Sequence, residues 1–74
     1  INGRLKKFPP KEKQRLIVLR EITKRFESST NYSEKEINQI LEDMYDDYVL
    51  IRRYLIEYGF LERKSDGSQY WLKQ

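Results

Sequence analysis

A mainly α domain of the α+β class, three helices followed by a β-hairpin, is predicted by three observations on this 74-residue chain. The apolar residues change period, from helical spacing over residues 48–58 to strand alternation over 60–72. Gly59 stands where the first pattern stops, and Ser65-Asp66-Gly67-Ser68 makes a turn cluster inside the second. Upstream, Ser33-Glu34-Lys35-Glu36 is a capping box, with one amphipathic segment before it and another after it. Helix, helix, short link, helix, sharp stop and hairpin, in that order, spell a winged helix-turn-helix.

Each element has its own justification. Residues 1–10 are expected to form a basic N-terminal arm, because Gly3 and the Pro9-Pro10 pair disfavour helix and Arg4, Lys6 and Lys7 supply charge. Residues 11–74 then form the winged-helix domain. The first helix is expected from about Lys11 to Phe26, with Leu16, Val18, Leu19, Ile22 and Phe26 on one face and Lys13, Arg20, Glu21 and Lys24 on the other. Ile17 falls among the charges and is expected either to pack under the arm, against Phe8, or to meet a partner.

The second helix starts at the capping box, where the Ser33 hydroxyl and Glu36 carboxylate satisfy amides that the helix start leaves unpaired. Tyr32 and Ile37 have the spacing of a hydrophobic staple, and Ile37, Ile40, Leu41 and Met44 fall at i, i+3, i+4 and i+7, so the helix should end near Met44. Asp46 or Asp47 can cap the third helix, leaving a link of a few residues that forces an angle. In that helix Tyr48, Ile51, Tyr54, Leu55 and Tyr58 face a core, while Val49, Arg52, Arg53 and Ile56 face away. Phe60 to Lys64 and Gln69 to Leu72 then read as the two strands of a wing.

Composition narrows the function classes. One small domain can be built from 74 residues, with six Tyr, three Phe and one Trp supplying much of the burial. There is no cysteine for a disulfide or thiolate metal site, and no histidine for a proton shuttle or zinc ligand. No cofactor and no enzymatic activity are expected. The longest apolar run is Val49-Leu50-Ile51, so no membrane partner is expected, and the absence of cysteine suits a cytoplasmic setting. The chain opens on Ile1 and is expected to be part of a longer protein, with a protein partner or fused regulatory domain.

Charge is distributed unevenly. Residues 1–26 hold nine Lys/Arg against two Glu, residues 27–51 hold Lys35 against seven acids, and the remainder holds five Lys/Arg against three acids. The overall +3 is too small to argue for a polyanion, but the pattern predicts a basic side and an acidic side.

Arg52 and Arg53 are the leading candidates for function. Arginine facing a groove can donate two hydrogen bonds to guanine or clamp phosphates, and Val49 and Ile56 share the face. The competing structural reading is a solvated helix face with an Arg53–Glu57 ion pair at i+4. On the hairpin, Lys64 is the candidate phosphate contact, and Arg4 is the one on the arm. Against these stand Glu42, Asp43, Asp46 and Asp47, which would repel phosphates if they faced a duplex but can cap the third helix and stabilise its dipole. Tyr48, Tyr54 and Tyr58 occupy core-facing positions and are read as packing residues rather than base-stacking platforms.

Gly3-Arg4-Leu5, Tyr32-Ser33-Glu34-Lys35-Glu36-Ile37-Asn38, Asp47-Tyr48, Arg52-Arg53-Tyr54-Leu55, Tyr58-Gly59-Phe60-Leu61-Glu62-Arg63 and Tyr70-Trp71, in this order, resemble a small prokaryotic domain family of unknown function. That family occurs alone and joined to bacterial transcription regulators. The resemblance covers nearly the whole chain and implies a winged helix-turn-helix with a link to transcription, without an established ligand or operator. Tyr45 stands where members often carry a histidine. The third-helix block is also similar, locally, to the recognition segment of sugar-responsive bacterial repressors.

The expected partner is therefore double-stranded DNA, read by Val49, Arg52, Arg53 and Ile56 in the major groove and held at phosphates by Lys64 and Arg4. A homodimer is expected on geometric grounds, since one small module buries little surface. The rival expectation is a winged helix used for protein interaction, because fold alone does not choose between the two.

Overall fold

The computed structural model describes residues 5–73. Its elements run α1 (Glu12–Thr23), α2 (Glu34–Glu42), α3 (Tyr48–Glu57), β1 (Leu61–Arg63) and β2 (Tyr70–Leu72). Three helices followed by an antiparallel two-stranded sheet have the order and pairing of a winged helix-turn-helix. Leu19, Ile22 and Phe26 from the first helical segment, Ile37, Leu41 and Met44 from the second, Ile51 and Leu55 from α3, and Leu61 and Tyr70 from the hairpin form one buried core. Full burial of a large apolar side chain contributes about 1.5–3 kcal/mol. These ten residues therefore outweigh any single surface ion pair, at about 0–1 kcal/mol.

The helix termini follow from local chemistry. Ser33 caps α2 as expected, its hydroxyl accepting from the Glu36 amide at 3.1 Å while the Glu36 carboxylate accepts from the Ser33 amide at 2.8 Å. Asp47 caps α3 by accepting from the Leu50 amide. At the other end of α3 the Phe60 amide reaches back to the Leu55 carbonyl and the Gly59 amide to that of Ile56. This is a Schellman closure, and Gly59 takes the required left-handed conformation at φ +80.

Two helices are shorter than the apolar pattern predicts, for a shared reason. The pattern carries α1 to Phe26, but beyond Thr23 the amides of Lys24, Arg25 and Phe26 bond three residues back, to Glu21, Ile22 and Thr23. The last turn tightens and still delivers Phe26 to the core. Met44 likewise bonds back to Leu41 just beyond α2, and is buried there.

The hairpin pairs Leu61 with Leu72, Glu62 with Trp71 and Arg63 with Tyr70. The Lys64 amide to the Gln69 carbonyl and the Lys73 amide to the Phe60 carbonyl extend the ladder at both ends. The turn closes through the Gly67 amide to the Lys64 carbonyl at 2.8 Å, with Gly67 at φ +75. On its outer side, β2 exchanges two backbone hydrogen bonds of 2.8 Å between Tyr70 and Tyr32, in the link before α2. This bridge ties the wing to the start of the helix-turn-helix.

Residues 5–10 lie against the helices. The Leu5 amide donates to the Met44 carbonyl at 2.7 Å, and the Phe8 ring stacks on Tyr54 with centroids 5.2 Å apart. Arg15 closes this region from α1: its guanidinium lies 4.9 Å from the Tyr54 ring centroid and donates to the carbonyls of Pro9 and Pro10. Phe8 thus packs on α3, and Ile17 is left 59% exposed. No helix among the described residues is long and apolar enough to cross a membrane.

Candidate nucleic-acid interface

The residues singled out on α3 divide sharply. Val49, in the first turn, is 43% exposed. Ile56 is only half-exposed and packs against the core. Arg53 is exposed and makes no hydrogen bond or ion pair among the described residues, so the ion pair with Glu57 does not form. Arg52, its neighbour, is committed to the protein.

The Arg52 guanidinium donates to the Asn38 side-chain oxygen, sits 3.7 Å from the Glu34 carboxylate and lies 5.9 Å from the Tyr70 ring centroid. Only 18% of its side chain is exposed. The expectation that both guanidinium groups are freed from the fold thus holds for Arg53 and not for Arg52. The reason is angular: residue 52 is one position closer to the Ile51–Leu55 stripe on the side where α2 packs, and Glu34 and Asn38, one α2 turn apart, meet it there. The Tyr70 hydroxyl also donates to Glu34, at 3.4 Å, so α2, α3 and β2 converge on one polar knot.

Beside the knot lies an open concavity of about 320 Å³, lined by Glu34, Arg52, Arg53, Ile56, Glu57, Arg63 and Tyr70. Its walls are α3 and the helix-facing side of the hairpin. Arg63 was not among the leading candidates, yet it belongs to this concavity, whereas Lys64 does not line it. Strand alternation was the signal available for the distinction, because Arg63 shares a face with Leu61 and Lys64 does not.

Lys64 is exposed at the base of the turn. The Asp66 carboxyl, whose ordinary value is 3.8, is held lower by its hydrogen bonds from Ser68 and, secondarily, by the positive charge of Lys64. Lys64 therefore already has a carboxylate for company. Arg4, the candidate on the arm, lies outside the described residues. Lys6, Lys7, Lys11 and Lys13 are exposed, whereas Arg15, from the same basic run, is drawn into the Phe8–Tyr54 stack.

The acidic group Glu42, Asp43, Asp46 and Asp47 does not line this concavity. Asp47 is spent on capping α3, Asp43 is the C-cap of α2, and neither Glu42 nor Asp46 lines the concavity. Among the described residues, no three acidic side chains come close enough to hold a metal ion. Tyr54 and Tyr58 are half-buried with rings 5.9 Å apart, and serve packing as their positions predict.

Comparison with known proteins adds one finding. No curated protein and no solved structure gives a match. Residues 4–72 do match a sequence family, and the chain belongs to it: the bacterial family described as uncharacterized protein conserved in bacteria, DUF2087.

Proposed function

We propose that this chain is a double-stranded DNA-binding module of bacterial transcription regulation, with α3 entering the major groove and the hairpin flanking it on the phosphate backbone. The observation that carries the reading is Arg53, an exposed guanidinium without a hydrogen-bond or ion-pair partner among the described residues, on the outer side of a capped helix, beside a wing. At 10 residues, α3 is about 15 Å long, which suits insertion into a groove about 12 Å wide. Val49 and Ile56 flank Arg53 and can meet thymine methyl groups.

The proposed DNA face is narrower than the sequence pattern implies, because Arg52 is held by Asn38 and Glu34 and supports the surface instead of extending from it. The acidic residues between α2 and α3 fit the same arrangement, since Asp47 is turned to its own helix. A second reading, a protein-interaction module, is favoured by the exposed apolar side chains Val49 and Ile17.

Fluorescence anisotropy with mixed-sequence duplex at low and moderate salt distinguishes the two. DNA affinity should fall steeply with salt, and Arg53→Ala should weaken binding while leaving the circular dichroism spectrum unchanged. Absence of duplex binding even at low salt would overturn the DNA reading and leave the protein-interaction one.

A further inference from the structure

We propose that Arg63 on β1 and Arg53 on α3 together form a clamp for one phosphodiester group, and that Arg63, rather than Lys64, is the principal backbone contact of the wing. The proposal rests on the duplex reading above and specifies where on the hairpin the backbone is held.

The register of the hairpin carries the argument. Residues directly opposite in an antiparallel pair point to the same face, and faces alternate along each strand. Leu61, opposite Leu72, and Tyr70, opposite Arg63, are both buried, so their shared face is the one turned to the helices. Arg63 is on that face but beyond the edge of the core, where it is exposed. Glu62, opposite Trp71, and Lys64, opposite Gln69, belong to the other face, and there the Trp71 indole N–H donates to the Glu62 carboxylate at 3.1 Å. The two adjacent basic residues of the wing therefore point in opposite directions, and only Arg63 overlooks α3.

The position of its guanidinium agrees. Nη1 of Arg63 lies 3.4 Å from the point where a Cβ on Gly67 would stand, so the side chain extends along the turn over a residue without a side chain. From there it lines the same concavity as Arg53, whose wall also includes the apolar Ile56 of α3. Neither arginine has a hydrogen bond or ion pair among the described residues.

Charge within the concavity also favours an anion. Glu34 is occupied by Arg52 and by the Tyr70 hydroxyl, which leaves Glu57 as the one carboxylate against Arg53 and Arg63. Two planar guanidinium forks on residues that line one concavity can each present paired N–H donors to phosphate oxygens, a geometry an ammonium cannot reproduce. The ligand class is a phosphodiester oxyanion, supplied by the duplex backbone.

The test uses the folded protein and a mixed-sequence duplex, with affinity measured across a salt series for wild type, Arg63→Ala, Arg63→Lys and Lys64→Ala, each checked by circular dichroism. Losing one phosphate contact should reduce the slope of log affinity against log salt by about 1. The expected result is that Arg63→Ala shows this loss, Lys64→Ala shows a smaller one, and Arg63→Lys keeps the wild-type slope with weaker binding. Wild-type affinity and slope in Arg63→Ala would overturn the clamp while leaving the DNA reading intact. Failure of the wild type itself to bind duplex at low salt would overturn both.

Discussion

Arg15 and the Arg53–Arg63 pair hold their charge in opposite ways. Arg15 is surrounded by its own protein: carbonyls of Pro9 and Pro10, the Tyr58 hydroxyl at 3.5 Å, and the faces of Phe8 and Tyr54. Its charge fastens residues 5–10 to α1 and α3. Arg53 and Arg63 border a shared concavity with no such partners among the described residues. In the first region the donors of the guanidinium are used by the fold, whereas in the second they have no acceptor among the described residues. Arg52 falls with Arg15, even though it adjoins Arg53 in sequence. Position in a basic run therefore says little about which arginine is available, and the number of protein acceptors within reach says much.

The contrast can be broken at its foundation. Leu55 is fully buried on α3, the helix that carries both Tyr54 and Arg53. Leu55→Ala should cost about 2–5 kcal/mol of stability, the range for a leucine cavity in a packed core. Urea unfolding followed by far-ultraviolet circular dichroism measures it, and a loss below 1 kcal/mol, against the roughly 2 expected at minimum, would mean that α3 is not the common support.

Arg15→Ala sharpens the comparison on its structural side. Charge-assisted hydrogen bonds and a cation–π contact are removed together, and the expected loss is about 2 kcal/mol, with the two carbonyls regaining water as partners. Denaturant midpoints should shift accordingly, while the salt slope of any duplex binding stays at the wild-type value. A changed slope with unchanged stability would place Arg15 in the other class.

Arg53→Ala and Arg63→Ala should show the reverse. Both are surface substitutions that remove no hydrogen bond or ion pair among the described residues, so each should leave unfolding within about 0.5 kcal/mol of wild type. A loss of 2 kcal/mol from either, well beyond the roughly 0.5 allowed, would show that it is part of the fold's own network.

The smallest effect concerns the wing tip. The Asp66 carboxyl titrates below its ordinary 3.8 because Ser68 hydrogen-bonds its charged form. A lowered folded value means that the carboxylate's contribution to the turn is present above the ordinary value and is lost as pH falls through the folded one. The Ser68 amide resonance, which reports the 2.9 Å bond to Asp66, should therefore keep its neutral-pH position down to about pH 4 and move only below it. Movement already near pH 6 would contradict the bond.

Much of this architecture was legible in the residues, for local reasons. The capping box at Ser33 and Glu36, the stop at Gly59 and the turn at Gly67 each depend on a few adjacent residues, and all three form as the sequence indicates. The core stripe of α3 follows directly from helical spacing. Long-range polar contacts were not legible. Nothing in the sequence couples Arg52 to Asn38, 14 positions away, or Arg15 to Tyr58, 43 positions away. The bridge between Tyr32 and Tyr70 involves a single residue on each side, too short for a strand pattern to register. For the candidate site the consequence is specific: the α3 face was readable as a face, but the release of Arg53, the capture of Arg52 and the inward turn of Arg63 required the packed neighbours.

The most direct test of the central claim, that Arg53 and Arg63 hold an anionic ligand while Arg15 and Arg52 hold the fold, is the salt dependence of duplex affinity in the Arg53→Ala/Arg63→Ala double variant beside wild type. Steep salt dependence is expected for the wild type and, for the double variant, an unchanged fold with a slope reduced by about 1, because the two arginines hold the same phosphodiester. A wild-type slope in a fully folded double variant would contradict it.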